Sequence, residues 1–309
     1  MKKRTVYLNR EPVTGPWGGG NKFVKSLVEE LKTSGHNVVF DLNPGVDVIF
    51  CFDPRPNSKG VWYQDMLDHK LKYNSKILQR VGDVGSHSKP ELTNLVKQCV
   101  NFSDFLIFPS LWSKDYIQYT GNNCSVIHNA PIKIFANSRK EKTDSSLKNV
   151  KIVTHHWSTN IKKGFDIYTQ LGESISNKSF NAEFTYIGRW NDDFSNAGIN
   201  LIKPIDAEDL SKLLPTYDVY LTASVEEAGA NHVLEAIAVG LPIVYRKGGG
   251  SINEYCKEYG EEYDGTLKDM SRALNKVKSE YNIYQSNMTK YKKTIKDVVS
   301  EYVRLVCQI

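Results

Sequence analysis

Glu227 and Glu235, with the seven residues between them, are the part of this sequence whose types and spacing most invite chemistry. Ahead of them DVYLTAS, 218–224, is apolar and β-branched and reads as a buried strand, and AGAN at 228–231 breaks it with a turn. NHVLEAIAVG then reads as a short helix, with Asn231 as its cap, Val233, Ala236, Ile237 and Gly240 on one face, and Gly240-Leu241-Pro242 as its stop. PIVY follows as the next strand. A helix that starts at a glycine turn beyond a strand end presents backbone N–H groups and the positive end of its dipole, which suits a phosphate or diphosphate. Ala230, Asn231, His232 and Val233 supply that start. Glu235 lies one turn further on, roughly 6 Å along the same face at a rise of about 1.5 Å per residue, close to the span from a diphosphate to the ribose of a nucleotide. Glu227 precedes the helix and is expected on the other side of the phosphate, where its carboxylate fits a sugar.

The elements that must position these groups extend over the whole chain. TVYL, a helix over 21–34 with Phe23, Leu27, Val28 and Leu31 on one face and Gly35 as its stop, and the strands NVVF and DVIFCF open a doubly wound parallel sheet. VWYQ (61–64) and KILQRVGDVGSHS (76–88) are expected to continue the sheet. Glycines 82 and 85 open a polar loop at a strand end, where such sheets place ligands, so Arg80, Asp83 and His87 become cleft candidates. The polar stretch 132–149 reads as a linker, after which VKIVTHH begins a second alternation of strands and helices.

Glu227-AGANHVL-Glu235, followed by EAIAVGLPIV, the glycine triplet 248–250 and Glu254, resembles the Glu, seven residues, Glu signature of the retaining family 4 glycosyltransferases of the GT-B fold. The resemblance implies an α/β chain: two Rossmann-like, doubly wound parallel-sheet domains facing across a cleft, with a C-terminal helix crossing back to the first domain. It implies an acceptor-side domain over 1–131, a linker over 132–149, a nucleotide-sugar domain over 150–285 and the returning helix over 286–309. The implied activity is transfer of a hexose from a nucleotide-diphosphate sugar, GDP-mannose or UDP-glucose first among them, to a hydroxyl acceptor on a glycan, lipid or protein-linked sugar. No cofactor and no metal is expected beyond the donor itself.

The resemblance also carries individual residues. Lys163 before Gly164 matches the family's diphosphate lysine, while the arginine that accompanies it falls at Trp157 or Ser158 and is missing; Lys162, Arg189, Arg246 or Lys247 could supply the second charge. Gly18 and Gly19, in the loop PVTGPWGGGN, match the glycine pair that lets the backbone approach donor and acceptor. The loop after Gly188, with Arg189, and the backbone near Ile202 and Lys203 would border the base, and His128 stands at the exit from the first domain. The family histidine near the donor sugar has no counterpart, since that stretch reads Arg80-Val81-Gly82-Asp83. The catalytic set expected is therefore Glu227, Lys163, Asp83 and Arg80. His155 and His156 have no carboxylate or cysteine at ligand spacing beside them, so they are expected to pack or hydrogen-bond, with His156 reaching the substrate, and not to hold a metal.

Bulk properties narrow the class. At 309 residues the chain can build two cores, and a net charge of +5 suits a phosphorylated ligand but is too mild to argue for nucleic acid. Five scattered cysteines without CxxC spacing exclude a disulfide framework or zinc site and point to a reducing, cytoplasmic setting. MKKRTVYLNREP carries too few apolar residues for a secretory core, and no apolar run reaches the length of a membrane span. The lysine-rich tail reads first as a solvated helix face and second as a peripheral membrane contact. Two other readings share the diphosphate site: a non-catalytic sugar-nucleotide or glycan binder, which would hold donor without turning it over, and a GT-B sugar-nucleotide epimerase, which would change the donor without an acceptor.

Overall fold

The computed structural model describes residues 3–13, 19–140 and 149–309, so the Gly18 of the expected glycine pair lies outside the described residues while Gly19 lies within them. The chain divides into two compact units, one made of Met1–Asn129 with Thr294–Ile309 and the other of Ala130–Lys293.

In the first unit, β1 (Thr5–Leu8), β2 (Asn37–Val39), β3 (Val48–Cys51), β4 (Lys76–Arg80), β5 (Phe105–Phe108) and β6 (Cys124–Val126) form one parallel sheet in the order β2-β1-β3-β4-β5-β6. Helices α1 (Gly19–Thr33), α2 (Tyr63–Tyr73), α3 (Pro90–Cys99) and α4 (Leu111–Ile117) alternate with the strands. The strands are short unbroken apolar runs because a parallel sheet is covered on both faces; every residue of β3 is buried. In α1 the buried Phe23, Val24, Leu27, Val28 and Leu31 recur at three and four residues and form one apolar stripe.

The second unit repeats the plan with β7 (Val150–His156), β8 (Ala182–Gly188), β9 (Ile199–Ile202), β10 (Val219–Thr222), β11 (Ile243–Arg246) and β12 (Gly260–Tyr263), all parallel, in the order β12-β11-β10-β7-β8-β9. Its helices are α5 (Lys133–Asn137), α6 (Phe165–Ser176), α7 (Ala207–Leu213), α8 (Asn231–Val239), α9 (Ser251–Cys256), α10 (Leu267–Ser279) and α11 (Tyr281–Lys290). The first strand of this unit, β7, lies between β8 and β10, so the strand order reverses at β7. The crevice beyond the carboxyl ends of two strands at such a reversal is where open α/β sheets bind ligands.

After Lys293 the chain returns to the first unit as α12 (Ile295–Gln308), whose Val298, Val299, Tyr302, Val303 and Val306 are buried. The ring of Tyr302 meets that of Phe23 on α1 edge to face at 4.9 Å, and Ser300 Oγ donates to Glu30 Oε1. The C-terminal helix thus belongs to the first unit, as the family resemblance implies.

Three local expectations are corrected. VWYQ is not a strand: Tyr63 begins α2, because Asp65 accepts the Trp62 backbone N–H at 2.9 Å and closes the first helical turn. The segment 132–137 is not open linker; α5 forms there and buries Phe135 completely against the core of the second unit. Asn231 is not the cap of α8 but its first helical residue, since Ala230 occupies the cap position with its N–H given to Ser251 Oγ at 3.0 Å, and no side chain caps the helix.

Candidate active site

At the head of β7 and β10 the chain must bring two loops together, and glycine permits it. Gly164, which caps α6, has φ +90°, and a Cβ there would stand 2.3 Å from the Ala223 Cβ and 2.6 Å from the Ala223 carbonyl oxygen. Only glycine tolerates both the left-handed backbone and the contact. The close approach is held by the Val225 N–H donating to the Lys162 carbonyl at 2.9 Å. It places Lys163 beside the loop after β10.

That loop is pinned from its other side by the glycine triplet. The Glu226 N–H donates to Gly248 O, the Glu227 N–H to Gly249 O, and the Ser251 N–H to Glu227 O, which extends the parallel pairing of β10 and β11 beyond the strands. Two adjacent lysines then face two adjacent glutamates. Lys162 Nζ lies 2.5 Å from Glu226 Oε2, and Lys163 Nζ lies 2.5 Å from Glu227 Oε1. The second pair is the more enclosed, at 13% and 11% side-chain exposure, and Ser224 Oγ donates to the same Glu227 oxygen.

Behind this pair, three histidines are buried at the ends of β7 and α8. His156 Nε2 lies 2.9 Å from the Tyr168 hydroxyl, which itself accepts the Ala223 N–H. His232, in the first turn of α8, lies 3.1 Å from Thr222 Oγ1 and meets the His156 ring edge to face at 4.8 Å. Burial, aided by Lys163 and His155 and opposed by Glu227 and Glu235, lowers the His232 pKa to about 3, so the ring is neutral at ordinary pH. His155 Nε2 lies 2.9 Å from Glu235 Oε2, with both side chains almost fully enclosed. Among the described residues no group of three His, Cys, Asp or Glu is placed to hold a metal ion.

The structure therefore gathers Lys163, Glu227, Ala230, Asn231, His232, Val233, Glu235 and His156 at one end of one sheet. Arg189 follows β8 with its N–H on His156 O, and Lys203 follows β9, so both lie at the same carboxyl end of that sheet. Of the substitutes for the missing arginine, Lys162 is paired with Glu226 and Arg246 Nη1 lies 3.5 Å from Asp166. Gly19, Arg80, Asp83 and His128 belong to the first unit. There Arg80 lies over the Phe23 ring and donates to Asn129 Oδ1, while Asp83 accepts from the Gly85 N–H and from Lys89. His155, expected to pack or hydrogen-bond in the cleft, does so on Glu235, and Ser224 and Glu226 flank Glu227 in the same stretch; Tyr220 is the member that no sequence signal marks. The pairing itself is spatial: His155 and Glu235 are 80 residues apart.

No protein-family model matches this sequence, and no curated protein matches it either. Solved structures do match in fold. Sucrose-phosphate synthase from Thermosynechococcus elongatus aligns with a TM-score of 0.66 at 13% identity, covering 99% of this chain and 98% of its own. WaaG, a glycosyltransferase involved in lipopolysaccharide biosynthesis, aligns at 0.67 and 12% identity over 98% of this chain and 99% of its own. HepE of Anabaena, solved in complex with UDP, aligns at 0.67 and 14% identity over 99% and 100%. Two six-stranded parallel sheets with flanking helices, a returning C-terminal helix and alignment over the whole length of these structures establish that this chain has the GT-B fold.

Proposed function

We propose that the chain is a retaining, metal-independent hexosyltransferase of the family 4 type, which moves a hexose from a nucleotide-diphosphate sugar to a hydroxyl acceptor. The observation that carries this reading is the Lys163–Glu227 pair at the uncapped start of α8, with Glu235 one turn further along. The diphosphate rests on the first-turn N–H groups of α8, and Lys163 exchanges Glu227 for a phosphate oxygen. Glu227, released from the lysine, accepts from sugar hydroxyls, and Glu235 accepts from the ribose. As the bond between the anomeric carbon and the phosphate oxygen breaks, negative charge grows on the diphosphate, where the helix dipole and Lys163 already point.

The acceptor hydroxyl enters on the face the diphosphate leaves, and the departing phosphate oxygen takes its proton, so configuration is retained. Glu227 is not a nucleophile here, because it sits on the diphosphate side. Arg189 and Lys203 border the base. Acceptor recognition is assigned to the loops of the first unit that carry Gly19, Arg80, Asp83 and His128. Arg80 and Asp83, expected in the catalytic set, stand on those loops and are assigned to the acceptor side of the transfer. UDP-glucose is the first donor to try, since HepE, alike in fold, has been solved with it; GDP-mannose is the second.

Incubation with each donor and a panel of hydroxyl acceptors, with release of nucleoside diphosphate and the product's anomeric proton followed by NMR, tests the reading. An α-linked product from an α-linked donor is expected, and a β-linked one contradicts the mechanism. A second reading, a binder that never turns donor over, is favoured by one observation: Trp157 stands in the region of the family arginine, and the neighbouring Lys162 is already paired with Glu226. Donor binding without product under every acceptor would select it.

A further inference from the structure

Glu235 is held from behind by a chain of polar groups that the proposed transfer does not use. The Tyr220 hydroxyl, on β10, accepts the His155 backbone N–H at 3.0 Å and lies 3.1 Å from His155 Nδ1. Burial pushes the Tyr220 phenol well above its ordinary pKa, so the hydroxyl keeps its proton to give. The hydroxyl's one proton has two acceptors in reach, His155 Nδ1 and the His155 carbonyl oxygen at 3.3 Å; directed at Nδ1, it leaves the ring hydrogen on Nε2, which faces Glu235 Oε2 2.9 Å away. The imidazole has little room to turn: the Tyr220 ring lies 5.5 Å from it, Trp157 5.7 Å, and the His232 ring stands perpendicular at 6.2 Å. A carboxylate enclosed to this degree needs such a donor, and the donor's direction fixes its plane.

We propose that His155 is a positioning residue that sets selectivity for ribose: backed by Tyr220, it anchors one oxygen of Glu235 so that the carboxylate meets the 2′- and 3′-hydroxyls of a ribonucleotide. The inference rests on the donor site proposed above. A carboxylate locked in orientation discriminates, because a nucleotide lacking one hydroxyl leaves an enclosed acceptor poorly matched, whereas a carboxylate free to rotate finds another partner. The side chain acts through Glu235 and touches no reacting atom. A merely structural histidine would change all nucleotide affinities together.

The test is calorimetric titration of the wild-type chain, His155→Leu, His155→Gln and Tyr220→Phe with UDP, ADP, GDP and their 2′-deoxy counterparts, with thermal unfolding of each variant alongside. The wild type is expected to prefer its best ribonucleotide over the 2′-deoxy form by about 30-fold, the effect of one enclosed mismatched group. His155→Leu should collapse that ratio to about 3-fold by weakening ribonucleotide binding while leaving the 2′-deoxy affinity within about 3-fold. His155→Gln, which keeps an N–H donor, should retain most of the preference, and Tyr220→Phe should fall between the two. An unchanged ratio in His155→Leu, or an equal loss for both sugars, overturns the proposal and leaves the donor site standing. If the wild type binds no nucleotide, the donor site and the proposal fall together. Should His155→Leu not fold, Tyr220→Phe decides: an undiminished ratio there overturns the proposal.

Discussion

The two units share one plan, a six-stranded parallel sheet between helices, and they differ in what their strand ends do with charge. In the first unit the ion pairs just beyond the carboxyl ends of β3 and β4 are open to solvent: Asp83 with Lys89 is 42% and 46% exposed, and Asp53 with Arg55 is 29% and 44%. In the second unit Lys163 and Glu227 pair at barely a tenth exposure, and Glu235 and His155 pair with almost none. Exposed pairs contribute little, whereas enclosed ones must overcome the loss of water and are retained chiefly where something else requires them. A sheet that merely needed to fold would close this crevice with apolar side chains. Under the proposed function, the enclosed charge of the second unit is what meets the polar ligand.

The largest effect that would sharpen this contrast is on turnover. Lys163→Ala should lower kcat by about 100- to 1000-fold, the usual result of deleting one preorganised charge from a developing anion, whereas Lys89→Ala in the first unit should leave it within about 3-fold. Steady-state kinetics with the accepted donor decides, and comparable losses in both would erase the distinction.

Next in size is a pair of glycines. Gly164→Ala combines a left-handed backbone with a Cβ placed on Ala223, and urea unfolding should show a loss of about 3 kcal/mol. Gly35→Ala, equally left-handed at φ +84° but with nothing within 4 Å, should lose only about 1 kcal/mol.

A third difference lies in acid. The folded pKa of His232, about 3, is below its unfolded value, so its contribution to stability is complete above about pH 6.5 and is lost as pH falls towards 3. Within that window the wild type should lose up to about 1.4 kcal/mol per pH unit relative to His232→Asn, measured by urea unfolding between pH 7.5 and 5. Parallel loss in the two proteins would show that the ring is not kept neutral.

The smallest effect is the first unit's own carboxylate. Burial opposes the charge of Asp83, but Lys89, the Gly85 N–H and Arg55 outweigh it and hold the carboxyl below the usual range. Its stabilisation is present above about pH 4 and is lost as pH falls through the depressed value. Because the pair is well exposed, Asp83→Asn should cost only about 0.5 kcal/mol at neutral pH and nothing in strong acid.

The strands were legible in the sequence because parallel sheets bury unbroken apolar runs, and Glu227 and Glu235 because turn, helix and stop lie within one short stretch. What depends on distant partners was not legible. Asn231 has the composition of a cap, but Ser251 from the next helix fixes the cap at Ala230. VWYQ is too short an apolar run to separate strand from helix start, and Asp65 decides it. Ile132, Ile134 and Phe135 look like a short apolar start to a polar linker until α8 is packed beside α5. The adjacent histidines that end β7 are visible as residues, but not their division of labour, one turned to Tyr168 and the other to Glu235.

The central claim is that the head of the second unit's sheet holds a nucleotide sugar. Calorimetric titration of the wild type and Glu235→Ala with UDP-glucose, GDP-mannose and ADP-glucose tests it most directly. Micromolar binding of one donor, weakened about 100-fold or more in the variant, a loss of roughly 2.8 kcal/mol at 1.4 per decade, is the predicted result. Binding to none of them, or binding that Glu235→Ala leaves untouched, would contradict it.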